Sequence, residues 1–107
     1  MESSHPAVQD AIMKAPVIMF SKTSCPFCHE AKDVFKRAGV EFKVVELNNE
    51  SNGGGIQSTL QAITGQRTVP NIFIGGTHVG GCSELKSKVS NGEVKALLDK
   101  NNIPHKL

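Results

Sequence analysis

A chain of 107 residues, 38% hydrophobic and 21% charged, predicts one soluble globular domain large enough to bury a core without disulfide or metal staples. A net charge of +2 with no dense Lys/Arg cluster and no Trp or Tyr argues against a nucleic-acid partner. No apolar run approaches the length of a membrane span, so no membrane association is expected either.

The N-terminal stretch "MESSHPAVQDAIMKAP" lacks the basic start and long apolar core of a secretory signal. Within it, Val8, Ala11, Ile12 and Ala15 recur at helical spacing, which predicts a short amphipathic helix over 6–14. Pro6 suits its first turn, Ser4 is a nearby cap candidate, and Pro16 stops it. "VIMF", 17–20, is an unbroken apolar run and predicts a strand buried on both faces. "SKTS" turns the chain. A second helix is predicted from Pro26 to about Ala38, with Ala31, Val34, Phe35 and Ala38 on its apolar stripe and Gly39 as its stop. "VEFKVVEL", 40–47, predicts a second strand, parallel to the first because a helix intervenes. "NNESNGGG" reads as a polar loop, and Ile56, Leu60 and Ile63 predict a helix over 56–65. Two β-rich runs, 71–74 and 77–79, flank Gly75-Gly76 and predict a hairpin. The remainder predicts one or two closing helices broken near Asn91-Gly92, then a tail. The sum is an α/β fold: a four-stranded mixed sheet with helices on both faces, a three-layer sandwich in a single domain over 1–107.

"TSCPFCHEAK", 23–32, carries the chemistry. Its Cys-x-x-Cys suits a dithiol redox pair, half a zinc site, a reactive nucleophile or, as Cys25-Pro26-Phe27-Cys28-His29, a haem attachment. Haem would need an export route, another axial ligand and a helix-rich pocket. Zinc needs four ligands, and only Cys82 and scattered histidines accompany the pair, so no metal site is expected. Cys-x-x-Cys beside a βαβ unit points instead to a thioredoxin-like redox fold. Pro26 fits the first helical position and leaves Cys25 at the N-cap. There the helix dipole and free N–H groups favour a thiolate and lower the thiol pKa, with Lys22 as a further positive charge. Cys28 falls on the apolar stripe. An exposed attacking thiol in front of a sheltered one suits nucleophile and resolver. Three cysteines used this way predict a reducing compartment, cytoplasmic, or an organelle if a presequence has been removed. His29, Lys32 and Lys36 are placed on a solvated face, and His5, His78 and His105 at the surface.

"SKTSCPFC", "TGQRTVP" and "GGCSEL", in this order and spacing, resemble the dithiol glutaredoxins, over about Val17 to Leu98. Thioredoxins usually carry Trp before the first Cys, where this chain has Ser24, and monothiol members carry Ser where it has Cys28. The resemblance implies a thiol–disulfide oxidoreductase in which Cys25 attacks and Cys28 resolves. The reaction it implies is reduction of protein–glutathione mixed disulfides and some protein disulfides, with glutathione as co-substrate, no tightly bound cofactor and a monomeric chain expected. It further implies that Thr68-Val69-Pro70 is a cis-proline turn whose Val69 backbone pairs with glutathione. Gly81, Cys82 and Ser83 would hold the γ-glutamyl end, and Lys22, Gln57 and Arg67 the glycyl carboxylate. Phe27 replaces a commoner Tyr, and Ser83 stands where many members have Asp, which removes an ion pair with the ligand's amine. Cys82 is expected to pack beneath this corner. Two rival classes are a [2Fe–2S] module bridging two subunits through the first cysteine, against which Pro26 counts, and a non-catalytic adaptor.

Overall fold

The computed structural model describes residues 4–107, with side chains from Pro6 onward, so the side chains of Ser4 and His5 lie outside the described residues. Helix α1 (Ser4–Lys14) leads into strand β1 (Val17–Ser21), helix α2 (Pro26–Arg37) and strand β2 (Lys43–Glu46). A 3-10 turn (Leu47–Asn49), helix α3 (Gly53–Thr64), the hairpin β3 (Asn71–Ile74) and β4 (Thr77–Gly80), and helices α4 (Cys82–Ser90) and α5 (Glu93–Lys100) complete the chain. The strand order is β2-β1-β3-β4, with β1 parallel to β2 and the other two pairings antiparallel. This is the mixed sheet and thioredoxin-like sandwich that the sequence predicts.

Alternation along the strands divides the core in two. Val17, Met19, Ile72, Ile74 and Val79 face one side, where they meet Phe35 of α2, Leu85 of α4 and Leu98 of α5. Ile18, Phe20 and Phe73 face the other, under Val8 and Ile12 of α1 and Leu60 of α3. Every residue of β1 and β3 is buried, because helices cover both faces of the two central strands.

Several expectations need correction. The second strand is four residues long rather than eight. Val40 and Phe42 pack against α2 instead of pairing: Val40 N–H donates to Phe35 O and the Phe42 ring lies 5.3 Å from that of Phe35. Helix α3 starts three residues early, inside the Gly run read as a loop. A Cβ at Gly53 would stand 2.1 Å from Leu47 O, so only glycine permits this start against the preceding turn. Lys32 is not on a solvated face. Its side chain is 16% exposed and pairs with Glu46 at 2.7 Å. His78 is half-buried against Phe73 and bonded to Asn71 Oδ1 at 2.8 Å, and burial pushes its pKa below the usual imidazole range. His105 is likewise turned inward, 11% exposed and 2.6 Å from Asp99. Isolated histidines carry no periodic signal, so their partners were invisible in one dimension.

Candidate active site

The end of β1 and the start of α2 hold the two sulfurs. Cys25 is the N-cap of α2 in extended conformation, and its Sγ accepts the Cys28 N–H at 3.1 Å. Pro26 occupies the first turn, where its missing N–H costs no hydrogen bond. Cys25 is partly exposed and Cys28 is 0% exposed. Burial, and next the hydrogen bond with Cys25, push the Cys28 thiol up to about 11. The asymmetry predicted from sequence is therefore present in position and burial.

The loop before Cys25 is held from two sides. Thr23 N–H donates to Asn48 Oδ1 at 3.0 Å, and Asn48 Nδ2 returns a bond to Thr23 Oγ1 at 2.7 Å. His29 Nε2 lies 2.9 Å from Thr23 O. His29 is exposed as expected, yet its ring serves the loop rather than Cys25. Asn48 was not singled out in the sequence, since nothing local marks a residue that reaches across to a neighbouring strand's loop.

Opposite Cys25 stands the turn before β3. The Val69-Pro70 peptide is cis, and Cys25 Sγ lies 3.8 Å from Val69 O. Gln66 Nε2 bonds both Thr68 O and Pro70 O, at 3.0 and 2.9 Å, and shapes this turn. A groove of about 330 Å³ runs beside it, lined by Phe27, Thr68, Val69, Pro70, Gly81, Cys82, Ser83 and Glu84. Phe27 is 64% exposed and forms one wall. Cys82 is buried as the first residue of α4, and burial, with Glu30 nearby, raises its thiol pKa. Among the described residues no three His, Cys, Asp or Glu side chains converge as a metal-ligand set.

Lys22, Gln57 and Arg67 do not line this groove. Gln57 Nε2 donates to Arg67 O at 2.7 Å, and the exposed Arg67 guanidinium donates to Gln61 Oε1 at 3.1 Å. These two thus brace the turn leading to Thr68. Lys22 is half-buried one residue beyond β1, and its carbonyl accepts the Cys25 N–H at 3.0 Å. Glu84 is the wall residue that sequence reasoning missed. Its Oε1 accepts the Gly81 N–H at 2.8 Å, which places a carboxylate in the corner where Ser83 supplies none. An acid in the first turn of a helix was the available signal, and it reads equally as an ordinary capping residue.

A thioredoxin-like sheet with Cys-x-x-Cys at a helix start and a cis-proline turn facing it defines a thiol–disulfide oxidoreductase of the dithiol class. The glutaredoxin family model matches residues 17–79. A glutaredoxin of Ricinus communis is 47% identical over 90 residues, covering 84% of this chain and 88% of its own. Glutaredoxin-C2 of Arabidopsis thaliana is 46% identical, covering 84% and 81%. The crystal structure of a buckwheat glutaredoxin–glutathione complex superposes with a TM-score of 0.91 at 38% identity, covering 94% of this chain and 92% of that one. The chain belongs to the glutaredoxin family, the glutathione-dependent thiol–disulfide oxidoreductases.

Proposed function

We propose that the protein reduces glutathione mixed disulfides of proteins, and some protein disulfides, with Cys25 as nucleophile and Cys28 as resolving thiol. The observation that carries this reading is the pair itself: a partly exposed sulfur capping a helix, and a fully buried one a turn behind it. Cys25 attacks the glutathione sulfur of a mixed disulfide. The protein–sulfur bond breaks, the protein leaves as a thiolate that takes up a proton, and Cys25 is glutathionylated. A second glutathione attacks that bond and leaves as oxidised glutathione, restoring Cys25. When the trapped partner is a protein thiol, Cys28 attacks Cys25 instead, expels the protein and closes an internal disulfide, which two glutathiones then reopen.

Glutathione fits the groove by its chemistry. The Val69 backbone offers strand-like pairing to an extended peptide. The start of α4 offers N–H groups to the γ-glutamyl carboxylate, and Glu84 offers the anion for the amine that Ser83 cannot. Lys22 lies on the Cys25 side for the glycyl carboxylate. Gln57 and Arg67 act through the turn they brace. Cys82 packs as a small buried residue. The chain works as a monomer in a reducing compartment such as the cytoplasm, where reduced glutathione is abundant. The test is glutathione-coupled turnover of a small glutathione mixed disulfide by wild type and single Cys→Ser variants. Turnover that survives in Cys25→Ser would overturn the assignment.

A further inference from the structure

The turn that faces Cys25 is tied to α3 by side chains that the reaction above does not use. Helix α3 ends at Gly65, which takes the left-handed conformation and returns its N–H to Gln61 O at 2.8 Å. Thr64 Oγ1 donates to Leu60 O at 2.7 Å and accepts the Gln66 N–H at 3.0 Å, so the backbone of Gln66 is fixed to the last turn of the helix. The Gln66 side chain then reaches forward. Its amide has two N–H donors, and the carbonyls of Thr68 and Pro70 accept them at 3.0 and 2.9 Å. The carbonyl between those two, that of Val69, faces Cys25 Sγ at 3.8 Å. The same amide reaches the other wall of the groove. A Cβ built at Gly81 would stand 3.4 Å from Pro70 O and 3.8 Å from Gln66 Nε2.

We infer that Gln66 is a positioning residue that makes the groove select glutathione over disulfides that have no peptide backbone. The inference rests on the reading of the groove as the glutathione site. A peptide unit is planar, and in a trans unit the C=O and N–H point in opposite directions. The unit joining Thr68 to Val69 is trans. Holding Thr68 O on the Gln66 side therefore aims the Val69 N–H to the opposite side. The second bond, to Pro70 O, holds the far end of the turn, so Val69 between them is kept from swivelling. An extended peptide pairs with that N–H and with the Val69 carbonyl, and both must stand at fixed positions. Attack on a simple disulfide needs the Cys25 sulfur alone. Thr68 is exposed, so its carbonyl can turn to water once Gln66 lets go of it. The turn would then keep its place in the fold and lose its aim. Because the amide also lies against Gly81, it sets the spacing between the Val69 edge and the γ-glutamyl corner, which a ligand spanning both must match.

The experiment uses two disulfides with one leaving group: dithiodipyridine, and the mixed disulfide of glutathione with thiopyridine. In both, the Cys25 thiolate attacks one sulfur, a new bond to Cys25 forms and the disulfide breaks. Thiopyridine leaves with the electron pair and takes up a proton as the coloured thione. Stopped-flow rate constants are divided by those of free mercaptoethanol with the same disulfide, and the quotient of the two substrates is the selectivity. Gln66→Met keeps the length of the side chain and removes the donor. Gln66→Glu keeps the shape and, ionised at neutral pH, also cannot donate. The uncharged Met variant separates the lost donor from the added charge. Each variant should lose about tenfold on the glutathione disulfide, the effect of two lost hydrogen bonds, and less than about twofold on dithiodipyridine. A role in stability alone would move both substrates together or neither. Equal losses on both substrates, or wild-type selectivity in either folded variant, overturn the inference. Loss of the fold in both variants would make Gln66 a stability residue and overturn it as well. Wild type with no preference for the glutathione disulfide would overturn the reading of the groove as the glutathione site, and this inference with it.

Discussion

The two faces of the sheet are built from similar apolar residues and do different work. The face under α1 and α3 bears no cysteine. Its half-buried His78 and buried Asn71 are bonded to each other beside Phe73, and Phe20 meets Phe73 edge to face at 6.1 Å. The face under α2, α4 and α5 bears all three cysteines, at the N-cap and third residue of α2 and at the start of α4. There Lys32, one helical turn after Cys28, pairs with Glu46 at 2.7 Å. The contrast shows that burial alone does not make a site. The same low-dielectric surroundings stabilise one face and tune reactivity on the other, according to whether a reactive atom is placed at the helix start.

The largest contrast should come from the sulfurs. Cys25→Ser is expected to abolish turnover of every disulfide substrate, because a serine hydroxyl is essentially un-ionised near neutral pH. Cys28→Ser should keep deglutathionylation and lose most protein-disulfide reduction. Steady-state rates on both substrate types check this, and retained activity in Cys25→Ser would reverse the roles. On the opposite face, Phe20→Ala should cost about 3–5 kcal/mol of stability while leaving turnover per folded molecule near wild type. Phe20 is buried and already borders an apolar groove of about 260 Å³, so its removal enlarges an existing void. Urea unfolding and activity measured on the same sample separate the two effects.

A smaller effect concerns pH. The folded His78 pKa is depressed from 6.5 by burial and by Lys88. Folding therefore favours the neutral ring: this contribution is complete above pH 6.5 and is lost as pH falls below it toward the folded value. Stability measured between pH 7.5 and 5 should decline in wild type and decline less in His78→Gln. Equal slopes would remove His78 as the cause. Lys22→Glu should raise KM for glutathionylated substrates roughly two- to fivefold, with the effect shrinking at high salt, because the side chain is half-exposed and its charge is screened. An equal loss on a small uncharged disulfide would exclude a role in binding glutathione. Cys82→Ser should change least and keep most of the activity, since Cys82 lies outside the pair. A loss like that of Cys25→Ser in a folded protein would contradict its packing role.

Much of this division was legible in the sequence. The apolar run at Val17–Phe20, the stripe through Ala31 and Phe35, and the Pro after Cys25 each state a local rule that the fold obeys. What failed was everything that depends on a partner from elsewhere in the chain. Lys32 reads as solvated until β2 brings Glu46 across to it. Gly53–Gly55 read as loop because the Leu47 carbonyl that demands Gly53 is distant in local pattern. Ser21 closes a strand, and only the register with β2 shows which carboxylate it faces. Periodicity reports which face a residue takes, not what waits there.

The burial of Cys28 and Cys82 has a practical consequence. To a reagent arriving from solvent, the folded chain is a one-thiol protein, since Cys25 alone is not buried. Brief treatment with a bulky maleimide should place a single dye or spin label at Cys25, beside the groove, without any cysteine being engineered away. Denaturant would then reveal the other two, and the count of labels would serve as a direct gauge of how much of the population is folded.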